Sequence, residues 1–176
     1  SKFISMGNKA GVAENELLRY LESDPKTDVI LMYLEDLVAG REFMSIAREI
    51  TTSLARPKPI IALKAGRTLV GARAASSHTG SLAGSDKVYD AIFEQCGVIR
   101  VDTMEELFDY VKAFSSQSLP KGRNVAIVTN SGGPGILATD SCIGNGLNIA
   151  PLSRATVKKL RRVLPQTASL RNPVDL

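Results

Sequence analysis

The chain reads as short apolar runs alternating with amphipathic segments. Glu14–Glu22 carries Leu17, Leu18 and Leu21 on one helical face, and Asp24-Pro25 stops it. Val29–Glu35, VILMYLE, is a nearly continuous apolar run, which predicts a strand buried on both faces. Gly40–Leu54 repeats Phe43, Ile46, Ala47, Ile50 and Leu54 at helical spacing. Pro57 and Pro59 break the chain before IIALK, a second buried-strand pattern. Asp86–Gln95 is helical and ends at Gly97, Val98–Val101 is a strand, and Thr103 with Glu106 forms a capping box for a helix through Phe114. A short apolar run at Phe3–Met6 predicts one further strand ahead of these. Strands alternating with helices imply an α/β fold, a parallel sheet with helices on both faces.

Ser115–Arg123, SSQSLPKGR, is polar and holds Pro120 and Gly122, which is the chemistry of a linker. Beyond it the α/β pattern restarts. NVAIVTN reads as a strand, SGGPG as a turn, Ile136–Gly144 as a helix, Leu147–Ala150 as a strand and Ala155–Leu164 as a helix. The expectation is one domain over residues 1–118 and, over 119–176, the start of a second similar α/β unit, incomplete where the chain stops at NPVDL. The opening SKFIS has no initiator Met and no signal-peptide pattern, and reads as the edge of a piece cut from a longer polypeptide.

Composition narrows the function classes. The 176 residues are 44% hydrophobic with a net charge of +4, and no apolar run approaches the roughly 18 residues of a membrane span. Aromatics are 5% and Trp is absent, while Lys and Arg are scattered, so a base-stacking nucleic-acid surface is not expected. The two cysteines, Cys96 and Cys142, form no CxxC, which argues against a disulfide framework or a zinc site and suits a reducing cytoplasm.

Ligands of open parallel α/β sheets sit at the carboxyl ends of the strands. Three polar features fall at such ends. The first is SSHTGSLAG, Ser76–Gly84, which holds the lone histidine, His78. Small neighbours, among them Thr79 and Gly80, let a bulky group approach and offer backbone N–H donors to an anion. A neutral imidazole there can attack phosphorus with one nitrogen while the other is held by a hydrogen bond. The second is Glu35, which can supply that bond and steady the cationic ring, with the adjacent Asp36 left open as the alternative partner. The third is Asn130, Ser131, Gly132, Gly133 and Gly135, a bare strand-to-helix turn suited to phosphate, with Pro134 fitting a first helical turn. It lacks the ending of a P-loop and is not GxGxxG. Arg67 and Arg73 flank the histidine segment as possible phosphate contacts, and KKLRR at Lys158–Arg162 reads as a solvated helix face.

Together SMGNKAGV, YLESDPKTDVILMYLEDL, KPIIALKAGRTLVGARAASSHTGSLAG, NSGGPGILATD and LPQTASLRNPVDL resemble the nucleoside-diphosphate-forming acyl-CoA synthetases. That superfamily includes succinyl-CoA synthetase and ADP-forming acetate–CoA ligase. The resemblance implies a flavodoxin-like ligase domain in which His78 is the phosphorylated histidine, Glu35 binds it, and Thr79, Gly80 and the Asn130–Gly135 turn cradle phosphate. It implies the conversion of acyl-CoA, phosphate and ADP into acid, CoA and ATP through a phosphohistidine. ATP or ADP with Mg²⁺, and CoA, would be bound by CoA-binding and ATP-grasp domains or a separate subunit, in an oligomer. No metal and no tightly bound cofactor is expected on this piece, which alone should not turn over. Gly11 departs from the Asp common in relatives. The competing reading is a ligase-like regulatory domain of a protein acyltransferase, which would have no need of His78.

Overall fold

IIALK is the strand around which the first unit is built. In the computed structural model, Ser1–Ser118 and Leu119–Leu176 form two units, each described by itself below. The structure describes residues 2–7, 9, 11–68, 70–71 and 85–176.

The first unit contains α1 (Glu14–Ser23), β1 (Ile30–Leu34), α2 (Gly40–Thr52), β2 (Ile60–Lys64), α3 (Asp86–Gln95), β3 (Ile99–Val101) and α4 (Met104–Ser116). Its sheet is parallel with order β1-β2-β3, registered by Ile30 against Ile60 and Ile61 against Ile99. All five residues of β2 are buried, as a central strand requires. Ile30, Leu34, Ile60, Ala62 and Val98 face α1, α2 and α3, whose Leu18, Phe43, Ile46, Ile50 and Phe93 fill the larger core. Phe43 and Phe93 meet edge to face at 6.1 Å between ring centroids. The opposite face carries Ile61, Leu63 and Val101 under Leu107 and Phe114 of α4. The fold is thus a flavodoxin-like parallel sheet with helices on both faces.

Two expectations are corrected here. β1 is not buried on both faces: Ile30 and Leu34 are buried, but Tyr33 is 58% exposed. β1 lies at the sheet edge among the described residues, and α4 covers only the β2–β3 side of that face. Phe3–Met6 is not a strand, and Phe3 is 94% exposed, because no strand among the described residues pairs with it.

Thr103 caps α4 as the sequence implied, accepting from the Glu106 N–H at 3.1 Å. The returning Glu106 carboxylate accepts from the Asp102 N–H, one residue earlier than an ideal capping box. Cys96 is buried and Cys142 half-buried, both as free thiols.

The second unit holds β4 (Asn124–Val125), β5 (Val128–Thr129), α5 (Gly132–Gly144), β6 (Asn148–Ile149), α6 (Arg154–Val163) and β7 (Val174–Asp175). The expected single strand NVAIVTN is split: β4 pairs parallel with β6, and β5 pairs parallel with β7. Asn172 accounts for the break. Its side-chain amide donates to the carbonyls of Val125 and Ala150 at 2.8 Å and accepts from the Ile127 N–H at 2.9 Å. Backbone groups that a continuous ladder would use are spent on one side chain. The KKLRR face of α6 is solvated as read, with Lys158, Lys159, Arg161 and Arg162 exposed.

Candidate active site

The carboxyl ends of β1, β2 and β3 gather most of the buried and paired charge of the first unit. Glu35 and Asp36 follow β1, Lys64 ends β2, Asp102 follows β3, and Asp86 opens α3. This is the edge at which parallel α/β sheets bind ligands.

The segment after β1 is clamped along its length. Lys9 donates to both the carbonyl and the carboxylate of Asp36 at 2.7 Å. Glu14, at the first turn of α1 and 1% exposed, accepts from the Val38 N–H at 2.7 Å and lies 3.2 Å from the Lys9 ammonium. Burial works against the charge on Lys9, but the hydrogen bond to Asp36 and the charge of Glu14 outweigh it and raise its pKa. Lys9 has φ 55°, a left-handed backbone uncommon outside glycine, and its side chain is tied at both Asp36 and Glu14. Glu35 therefore departs from a strand end beyond which Asp36 and Val38 are held.

Of the two adjacent carboxylates, Asp36 is ion-paired with Lys9, whereas Glu35 is half-buried and makes no salt bridge among the described residues. The charge of Glu35 reaches Lys64 across the strand ends. Arg67 does not stand free for phosphate, because it is paired with Asp102 and lies 3.5 Å from Asp86. Arg100 also binds Asp86 and reaches Asp90 at 2.5 Å. Burial opposes the ionised Asp86, and the Arg100 guanidinium overrides it to lower the pKa. The Arg67–Asp86 contact brings together the two ends of the segment containing His78. His78, Thr79 and Gly80, like Arg73, lie outside the described residues.

In the second unit the glycine-rich stretch is not a turn but helix. α5 begins at Gly132, with Ser131 extended as its N-cap, so Gly132, Gly133, Pro134 and Gly135 form the first turn. Pro134 lacks only an N–H that has no helical partner there. The Thr129 hydroxyl takes the Ser131 N–H at 3.0 Å and donates to the Ser131 carbonyl at 2.9 Å. Gly135 permits the helix to approach β5: a Cβ there would stand 2.9 Å from Thr129 Cγ2. A Cβ on Gly132 would stand 3.2 Å from a carboxylate oxygen of Asp175. Sequence reasoning missed that acid, and any phosphoryl group at this helix start meets it as a like charge.

Parallel strands with helices on both faces, and polar groups collected at the strands' carboxyl ends, define the flavodoxin-like class of α/β domain. Residues 1–114 match the family described as the succinyl-CoA ligase like flavodoxin domain, and the chain belongs to that family. Over all 176 residues it is 48% identical to the ADP-forming 4-hydroxybutyrate–CoA ligase of Nitrosopumilus maritimus, covering 25% of that protein. It is 46% identical to the alpha subunit of the ADP-forming acetate–CoA ligase II of Pyrococcus furiosus, covering 37% of it. Among solved structures it is similar to acetyl-coenzyme A synthetase 1 of Ca. Korarchaeum cryptofilum in complex with phosphate and ADP. The TM-score is 0.86 at 40% identity, over 98% of this chain and 37% of that one. The chain thus spans between 25% and 37% of these proteins' length.

Proposed function

We propose that this chain is the phosphoryl-relay segment of an ADP-forming acyl-CoA synthetase. Phosphate displaces CoA from the acyl-CoA to give an acyl phosphate. The neutral imidazole of His78 takes the phosphoryl group and releases the acid, and ADP then accepts it to give ATP. Glu35 holds the second imidazole nitrogen and steadies the cationic ring while the phosphorus–nitrogen bond exists. Thr79, Gly80 and the first turn of α5 are the phosphate-binding backbone in this reading. CoA, and ADP or ATP with Mg²⁺, are placed on CoA-binding and ATP-grasp parts outside this chain, in a cytoplasmic oligomer. Residues 119–176 are read as the beginning of a second ligase-type domain.

The observation carrying this reading is the match along the whole chain to ADP-forming CoA ligases, and the position of the Glu35 carboxylate just after β1, at the carboxyl ends of the strands, supports it. The test uses the full-length protein with γ-labelled ATP and Mg²⁺. The label is expected on His78, acid-labile and base-stable, as a phosphoramidate is. A label on Ser76, Ser77 or Thr79 by mass spectrometry rejects the assignment.

A further inference from the structure

Two lysines of the first unit are buried, and they are treated in opposite ways. Lys58, 2% exposed, precedes β2 and spends its ammonium on three carbonyls at the end of α1: Leu21 and Glu22 at 2.6 Å and Asp24 at 2.9 Å. An ammonium has three donors, so this one is fully used and its role is to cap α1. Lys64, 3% exposed, ends β2 at the opposite edge. Its ammonium donates to the carbonyl of the next residue, Ala65, and stands 4.5 Å from the ring centroid of Tyr89. Among the described residues it makes no salt bridge.

The other described cations at this edge are engaged. Lys9 holds Asp36 and Glu14, Arg67 holds Asp102 and Asp86, and Arg100 holds Asp86 and Asp90. An ammonium taken out of water costs several kcal/mol unless a counter-charge repays it. Ile60 and Ala62 share the face of Lys64 in the strand and pack in the core, so an apolar side chain would fill its place at lower cost. Burial depresses the Lys64 pKa, opposed by the more distant carboxylates of Asp86, Asp36 and Glu35. Among the described residues, no anion stands at contact distance from the ammonium at the end of the central strand.

We infer that Lys64 is a binding residue for the phosphoryl group handled by this enzyme, contributing the donors that the described residues leave unspent. The inference rests on the phosphoryl-relay reading above. A phosphate oxygen would take one or two charge-assisted hydrogen bonds, while the Tyr89 ring and the Ala65 carbonyl keep the ammonium aimed. Attraction to an acid substrate's carboxylate is the rival source of the same charge, and the assay separates the two.

The test is made on the full-length enzyme, with Lys64→Met as a variant of similar length and Lys64→Gln as one that keeps a donor without the charge. In the acyl-CoA-consuming direction the KM for inorganic phosphate should rise about 10- to 100-fold in Lys64→Met, the size of one charge-assisted hydrogen bond, and less in Lys64→Gln. The KM for acyl-CoA, and for the acid in the reverse direction, should stay within about threefold. Should Lys64→Met not fold, Lys64→Gln alone decides by the same ratio. A phosphate KM within about threefold of wild type, or a rise shared equally with acyl-CoA, overturns the role of Lys64 while leaving the relay reading intact. A selective rise in the KM for the acid assigns Lys64 to the carboxylate and overturns it as well. Wild-type enzyme without phosphate-dependent turnover overturns both.

Discussion

Removing Glu14 should loosen the segment that presents Glu35, although Glu14 is remote in sequence and buried. Its Oε1 accepts from the Val38 N–H at 2.7 Å, and its Oε2 faces the Lys9 ammonium at 3.2 Å with no hydrogen bond of its own. A hydrogen bond to a charged group contributes about 1.5–3 kcal/mol, and breaking a buried ion pair by deleting one partner costs about 3–5 kcal/mol. Glu14→Ala does both, leaving Val38 with an unmet donor and Lys9 with Asp36 as its remaining counter-charge, so the loss falls at the lower end, about 3 kcal/mol. Glu14→Gln keeps an acceptor for Val38 and loses only the charge, for a cost of about 1–3 kcal/mol. The readout is hydrogen exchange of the Val38 amide in the full-length protein, because local opening is measured there without assuming two-state unfolding. A loss of about 3 kcal/mol accelerates exchange about 150-fold, so Glu14→Ala should exceed wild type by roughly two orders of magnitude, with Glu14→Gln between them. Phosphorylation of His78 should fall in the same order, because Glu35 is held through this segment. If the Val38 amide in Glu14→Ala exchanges within about threefold of wild type, Glu14 does not clamp the segment and the reasoning fails.

Glu35→Gln should slow phosphoryl transfer by roughly 10²–10⁴-fold, by analogy with triad carboxylates, and Asp36→Asn should act less on rate than on stability, since Asp36 is bound by Lys9; equal rate losses would contradict that division. Gly135→Val should destabilise α5 by about 1–3 kcal/mol, whereas Gly133→Ala, whose Cβ meets nothing within 4 Å, should be neutral or stabilise it by up to about 1 kcal/mol, as read by hydrogen exchange in α5. If phosphate binds at the α5 start, Asp175→Asn should tighten it by removing the like charge, as titration with inorganic phosphate would reveal. Because folding raises the Lys9 pKa above 10.5, its contribution is complete below that pH and disappears as pH climbs through the folded value; wild type and Lys9→Met should therefore converge in stability only at the alkaline end.

What the sequence determined is the order of elements and their local chemistry. IIALK and Asp86–Gln95 are found at their expected bounds, because a short apolar run opened by Pro59 and followed closely by Gly66, or a periodic segment stopped by Gly97, has few alternatives. The family was legible too, in SHTGSLAG and the motifs around it. Tertiary structure decided the rest. VILMYLE reads like IIALK, yet among the described residues one is an edge strand with Tyr33 in solvent and the other is central, since position in a sheet is a property of neighbours. NVAIVTN has the pattern of one strand, yet it divides because Asn172, far along the chain, brings its own amide to the backbone. In the sequence Lys64 is only the last letter of a strand; its burial with no paired carboxylate among the described residues is a property of the folded surroundings, Tyr89, Asp86 and Glu35. Local pattern records which backbone conformation each segment prefers, because that preference depends on adjacent residues. The environment of a charge depends on segments brought together by folding, and no spacing along the chain encodes it.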